Sequence, residues 1–295
     1  MIKFYLKFSR FGSEKMQNDS ITLVTSKRRW LSVDLKELWR YRDLAILFVK
    51  RDLKNSYKQT ILGPLWILIN PFLSTTVFTV IFGVIANIST DGVPQFLFYM
   101  AGNILWTFFS NCLGRGTGTF LANAHLFGKV YFPRLVMPIA GVMYYGLTFF
   151  IQFVVFFVLT MVYMFTGSAV HTNLIALLLP LLLLQTAALG IGTGLIISSV
   201  TTKYRDLNIL VGFGISLWMY ITPVVYPVSQ IPDFLSWLAY ANPVAPIVET
   251  FRYAFLGSGS FNLKYWLFSL AVTAVVLICG ILVFNRVEKN FIDTV

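Results

Sequence analysis

The sequence predicts an all-α membrane protein with six transmembrane helices, an N-terminal amphipathic interfacial helix and an external re-entrant helical hairpin before the last span. Three observations carry this. Five stretches, about 61–86, 136–166, 173–199, 207–227 and 265–285, contain no Asp, Glu, Lys or Arg, and a sixth, 96–118, contains only Arg115. Each has about the 20 residues that a helix needs to cross a bilayer. If all six span with the N-terminus inside, 20 of the 23 basic residues fall on the inner side, leaving Arg252 and Lys264 outside and Arg115 within a span. By the positive-inside rule both termini are therefore expected in the cytoplasm. The third observation is a composition that is 57% hydrophobic and 12% charged, which leaves no room for a sizeable soluble domain after the first sixty residues.

Two regions follow: a basic cytoplasmic N-terminus, 1–59, and a six-span domain, 60–295. The net charge of +11 flanks spans and is interleaved with acids, a pattern for an anionic inner leaflet and membrane lipids rather than for nucleic acid. The first twenty residues contain no apolar run long enough for a signal peptide, so no cleaved leader is expected. From Asp34 the pattern tightens: Leu35, Leu38, Trp39, Ile46, Val49, Leu53 and Tyr57 alternate with charged residues at helical spacing. That predicts an amphipathic helix over 34–58, too polar to span.

Two loops are long. The inner one, Thr119 to Leu135, contains His125, Lys129, Tyr131 and Arg134. The outer one, Val228 to Lys264, holds two apolar pieces, Phe234 to Ala241 and Val244 to Leu256, divided by Asn242-Pro243. The longer piece reaches only about 20 Å against a hydrocarbon core of about 30 Å. It reads as a hairpin dipping in from outside with its turn shielded by protein, or as a soluble cap. Glu249 and Arg252 stand three apart on it and can face each other, as a gate element or as a local structural pair.

Chemistry is sparse. No span carries a carboxylate, so coupling to an ion gradient has no carrier. There is no GxxxxGK[ST] loop, and Gly114–Gly118 lacks its Lys-Ser/Thr ending. No HExxH, CxxC or paired catalytic carboxylates occur, Cys112 and Cys279 lie inside predicted spans, and His125 and His171 fall on opposite sides of the membrane. No catalytic residue, metal site or cofactor is expected on this chain. The aromatics, 17% of the chain, are positioned to face lipid, neighbouring helices or a passage; together they suit a path for something with apolar sugar faces. A charged polymer would call for basic residues that these spans lack.

Six blocks carry a resemblance. Tyr57-Lys-Gln-Thr-Ile-Leu-Gly-Pro-Leu-Trp66 leads to Asn70-Pro71 and Phe78–Gly83; then come Trp106–Asn111, Gly128-Lys-Val-Tyr-Phe-Pro-Arg134, Tyr204–Leu207, Trp218 with Thr222–Pro227, and Asn242-Pro243 through Glu249–Tyr253. In this order, from about residue 35 to the end, they resemble the type-2 ABC polysaccharide exporter permeases, the membrane subunits of O-antigen exporters. The resemblance implies a homodimer with two copies of a separate ATP-binding subunit, which carries the ATP and Mg. It further implies a passage bordered by the first and fifth spans, and lipid-linked polysaccharide as cargo in a bacterial inner membrane. On that footing His125, Lys129, Tyr131, Arg134, Arg51 and Lys54 are expected to contact the ATPase, and Trp66, Phe72, Phe78, Trp218, Tyr220 and Tyr226 to border the path. Trp237, Tyr240, Glu249, Phe251, Arg252 and Tyr253 are expected to form an external gate, with Trp237, Tyr240, Phe251 and Tyr253 equally suited to be interface anchors. Teichoic acid, capsule or drug export fits the same architecture. A membrane-embedded glycosyl or acyl transferase remains the reading of another class, with Asp206, Asp91 and Asp233 as its candidate acids.

Overall fold

The computed structural model describes residues 35–58, 60–120, 122–123, 132–201, 204 and 206–292. Among the described residues there are helices and loops but no strand. The helices are α1 (Leu35–Arg40), α2 (Arg42–Tyr57), α3 (Trp66–Phe78), α4 (Gln95–Thr117), α5 (Val136–Phe165), α6 (Leu179–Thr201), α7 (Leu207–Ile221), α8 (Ser236–Ala241), α9 (Ala245–Leu256) and α10 (Leu263–Ile292). With short tighter or wider turns extending α3 and α6, five segments are long and apolar enough to cross a membrane: Gly63–Ile85, Gln95–Thr117, Val136–Phe165, Leu174–Thr201 and Leu263–Val287.

The remaining predicted span, 207–227, differs. Its helix α7 stops at Ile221 after 15 residues, about 22 Å. The cause is local: the ring of Pro223 forces the preceding residue out of helical backbone, and Thr222 is extended at φ −84°, ψ 140°.

The N-terminal amphipathic region also departs from expectation. It is two helices divided at Tyr41, and the face it buries is Ala45, Phe48 and Val49, packed on Phe132, Val136, Met137 and Ala140 at the start of α5. Trp39 and Ile46, assigned to the apolar stripe by spacing, are exposed. Protein contact with α5 selects the stripe, so it is rotated from the one that hydropathy alone suggests.

Helix α4 is the axis of the bundle. Every residue from Leu97 to Trp106 is buried, in a core shared with α5, α6, α9 and α10. The close approach of α6 on two sides is a matter of glycines. Gly190 and Gly194 lie one turn apart against α4: a Cβ at Gly190 would meet the Phe109 carbonyl oxygen at 2.8 Å, and one at Gly194 the Gly116 Cα at 2.9 Å. Gly192, on the opposite face, touches α10, where an added Cβ would stand 2.8 Å from the Leu277 Cα. Small residues let backbones meet where lipid supplies no hydrophobic drive for association.

Proline interrupts α3 at Pro71. A proline has no N–H, so the Ile67 carbonyl four residues earlier loses its helical donor; Gln152 Nε2 of α5 donates to it at 3.1 Å. Asn103 Nδ2 of α4 donates to Ser74 Oγ at 2.7 Å and reaches the Pro71 carbonyl at 3.4 Å. Beyond Phe78 the helix widens into a π-helical stretch, Thr79–Ile85, against which Gln95 Nε2 donates to the Gly83 carbonyl at 3.2 Å. Both α3 and α7 keep an outward apolar face: α7 has no buried residue, and Leu73, Val77, Ile209, Phe213 and Leu217 are exposed.

Replacing Gly192 by Leu is expected to cost at least about 1–3 kcal/mol, because backbone, not a flexible side chain, occupies the space. Gly146→Ala in α5, where an added Cβ meets nothing within 4 Å, should be neutral. Thermal unfolding of both variants in mild detergent checks this; equal midpoints would exclude tight α6–α10 packing.

Candidate functional site

A cleft of about 590 Å³ opens between α3, α4 and α5, with Met219 of α7 at its rim. Its wall is aromatic and amide: Trp66, Phe78 and Trp106 stand among Asn70, Asn103 and Asn111, with Ser74, Thr107, Thr148 and Gln152 adding hydroxyls and a further amide. Among the described residues that line it, none is charged. Such a surface offers ring faces to C–H groups and neutral donors and acceptors to hydroxyls. Among the described lining residues there is no carboxylate, imidazole, amine or guanidinium.

Of the expected path residues, Trp66 and Phe78 line this cleft. Phe72 does not, but packs on Phe96 with centroids 5.7 Å apart. Trp218 turns inward, edge-on to Trp106 and Phe109 at 6.4 and 5.2 Å. Tyr220 is exposed. The Tyr226 hydroxyl donates to the Tyr220 and Ile221 carbonyls at 3.0 and 3.1 Å, occupying oxygens left at the end of α7. The sequence reading passed over Asn103 and Gln152. The available signal was their polarity inside otherwise apolar spans, which is costly unless the group is partnered.

At the far end of α4, α9 packs on α4, and the junction between α8 and α9 is tied to the end of α7. Asn242 joins them: its Oδ1 accepts from Trp218 Nε1 at 3.2 Å and from the Val244 N–H at 3.1 Å, and its Nδ2 donates to Thr222 Oγ1 at 2.8 Å. Arg252 is 1% exposed. It donates to the Pro223 carbonyl at 2.6 Å and to the Val224 carbonyl, and stands 3.7 Å over the Phe98 ring. Gly102 makes room, since a Cβ there would sit 2.6 Å from Arg252 Nη2. Glu249 Oε1 lies 3.6 Å from Arg252 Nη1. Burial pushes the Glu249 carboxyl above the ordinary carboxylate range, against the pull of Arg252. Burial likewise lowers the guanidinium to about 10, still above neutral pH, so it remains a cation.

The other residues assigned to the hairpin divide by position. Phe251 is fully buried among Phe153, Phe156 and Phe255. The Tyr253 carbonyl accepts from Asn173 Nδ2 at 2.8 Å, while Trp237 and Tyr240 are exposed.

At the α2 end, Asp52 receives Arg51 Nε and Nη2 at 2.9 and 2.8 Å and Arg115 Nη2 at 2.5 Å. The one basic residue inside a predicted span is thus partnered by a carboxylate 63 positions away. Lys54 is exposed and Arg134 buried; His125, Lys129 and Tyr131 lie outside the described residues. Among the described residues no group of three or more His, Cys, Asp or Glu is placed to hold a metal.

With this bundle of long apolar helices and its aromatic-amide cleft described, comparison with known proteins places the chain. The chain matches the ABC-2 type transporter family over residues 44–256, and it belongs to that family. It is 31% identical over 252 residues to the O-antigen export system permease protein RfbA of Klebsiella pneumoniae, covering 85% of this chain and 94% of the relative. The protein of that name from Myxococcus xanthus is 28% identical over 264 residues, 88% and 98% of the two chains. The polysialic acid transport protein KpsM of Escherichia coli is 26% identical over 251 residues, 83% and 93%.

Arg252→Met should destabilise strongly, by about 3–5 kcal/mol, as loss of one partner of a buried pair does. Adding Glu249→Gln should recover only part of it, because the Pro223 and Val224 carbonyls still lack a donor. Folded yield by size exclusion compares the two; full rescue by the second substitution would reduce Arg252 to a partner of Glu249 alone.

Proposed function

We propose that this chain is the membrane subunit of an ATP-driven exporter that carries lipid-linked polysaccharide, most specifically O-antigen, across the cytoplasmic membrane of a bacterium. The observation that carries the proposal is the near full-length similarity to O-antigen export permeases joined to a cleft whose described lining is aromatic and amide without charge. Polysialic acid is an anionic polymer, and a path for it would call for cations along the wall. The neutral cleft favours an uncharged polysaccharide over that alternative.

In this reading the chain works as a homodimer with two copies of a separate ATP-binding subunit, which binds ATP and Mg. A second copy is placed against α3 and α7, whose outward faces are apolar and, among the described residues, include a helix, α7, with no buried position. Six spans with both termini inside accord with the distribution of basic residues, with α7 and the segment after it making up the fifth crossing. α8 and α9 then form the external hairpin, sealing the passage between cycles. The α2 end of the bundle faces the cytoplasm, where Arg51, Lys54 and Arg134, together with His125, Lys129 and Tyr131, receive the ATPase.

Deleting the chain in its native cell is expected to abolish surface polysaccharide while lipid-linked polymer accumulates inside. Unchanged surface polysaccharide, read by immunoblot of intact cells, would overturn the proposal. In the purified complex, Lys129→Glu with Lys54→Glu, the latter exposed on α2, should detach the ATP-binding subunit or leave its hydrolysis uncoupled from export. Normal export by that variant would remove those residues from the coupling surface.

A further inference from the structure

We propose that the pocket enclosed by α8, α9 and the start of α10 binds a single neutral sugar unit; its role as an exit subsite for the exported polymer rests on the export reading above. The pocket, about 110 Å³, is lined by Glu249 and Thr250 of α9, Tyr240 of α8, Tyr265 of α10, and Ser260 and Asn262 of the loop before α10. This volume admits the edge of one ring rather than a length of chain.

The site is built rather than incidental. Tyr240 and Tyr265 stack with centroids 4.3 Å apart and 15° between planes, giving one aromatic wall. Glu249 is 9% exposed; its Oε1 is held by the ion pair with Arg252 at 3.6 Å, longer than a hydrogen bond, so the carboxylate keeps acceptor capacity. The loop from Gly257 closes over this carboxylate: Gly259 has φ +81°, and a Cβ there would lie 2.5 Å from Glu249 Oε2. The same loop then delivers Ser260 and Asn262 into the pocket.

Charge selects the class of ligand. Arg252, buried behind the pocket wall, stands 3.6 Å from Glu249 and offsets its charge, so the pair offers a cation no net charge, while the carboxylate in the wall repels an anion. A neutral polyol meets neither penalty. The edge of a sugar ring in addition sets C–H groups against the phenol wall and its inserted hydroxyls on the nearest of the carboxylate, the Asn262 amide and the Ser260 and Thr250 hydroxyls.

The test uses the full-length chain in lipid nanodiscs and saturation-transfer difference NMR with methyl glycosides of common hexoses as the probe. Ring-proton signals are expected with the unaltered protein. They should fall by about fivefold or more in Tyr240→Ala and in Asn262→Ala, the factor set by losing one aromatic or hydrogen-bond contact. Phe234→Ala, exposed at the same end of the bundle, should leave them unchanged. If Tyr240→Ala lowers the thermal midpoint, Asn262→Ala and Ser260→Ala decide. Absence of transfer to every glycoside, or equal transfer in all variants, overturns the pocket even where export is intact. Glycoside signals that fall as expected while deletion leaves surface polysaccharide unchanged would keep the sugar site and remove only its role in export.

Discussion

A carbonyl without a donor inside a hydrocarbon layer costs several kcal/mol, and prolines create such carbonyls in this chain at two places. Pro71 orphans the Ile67 oxygen within α3, and Pro223 ends α7 so early that the oxygens of residues 220–224 need donors from outside the helix. The remedies come from elements distant in sequence. Gln152 crosses from α5 to α3, while Arg252 and Tyr226 supply the end of α7; Asn103 of α4 adds a bond to Ser74 beside the break. The contacts that tie α9 to α7, and α3 to α5, are therefore also the contacts that make their broken backbones tolerable in an apolar environment. The cleft inherits part of its chemistry from the same source, since the Gln152 amide that repairs α3 sits in its lining.

Much of the architecture was legible in uncharged runs, because apolar length and the cost of charge in lipid leave few alternatives. The predicted run 136–166 became a helix over Val136–Phe165, and 96–118 became Gln95–Thr117. The division at Asn242-Pro243 separates α8 from α9. What hydropathy overstated was α7, since Pro223 breaks the helix without altering the apolar character of the run. It also misjudged α2, whose buried face depends on a partner, α5, that no local periodicity encodes.

The candidate site was legible in its aromatics and hidden in its polar groups. Trp66 and Phe78 were chosen from the sequence and line the cleft. Arg115 stood out only as the single charge inside a predicted span, and nothing nearby pointed to Asp52, 63 residues earlier. Glu249 and Arg252 were visible as an i, i+3 pair, but most of what holds Arg252 is backbone oxygen at Pro223 and Val224, which has no letter of its own. Such partners emerge only when the chain is folded.

The alternating glycines of α6 have a mechanical meaning. With α4 pressed on Gly190 and Gly194 and α10 on Gly192, a roll of α6 by a single position would push a side chain into backbone on both flanks at once. The three helices thus form a stator, locked in rotation as well as in spacing. Helices α3 and α7 meet no such restraint along their outward faces, so rearrangement of the bundle is cheapest there, on the side where the cleft opens.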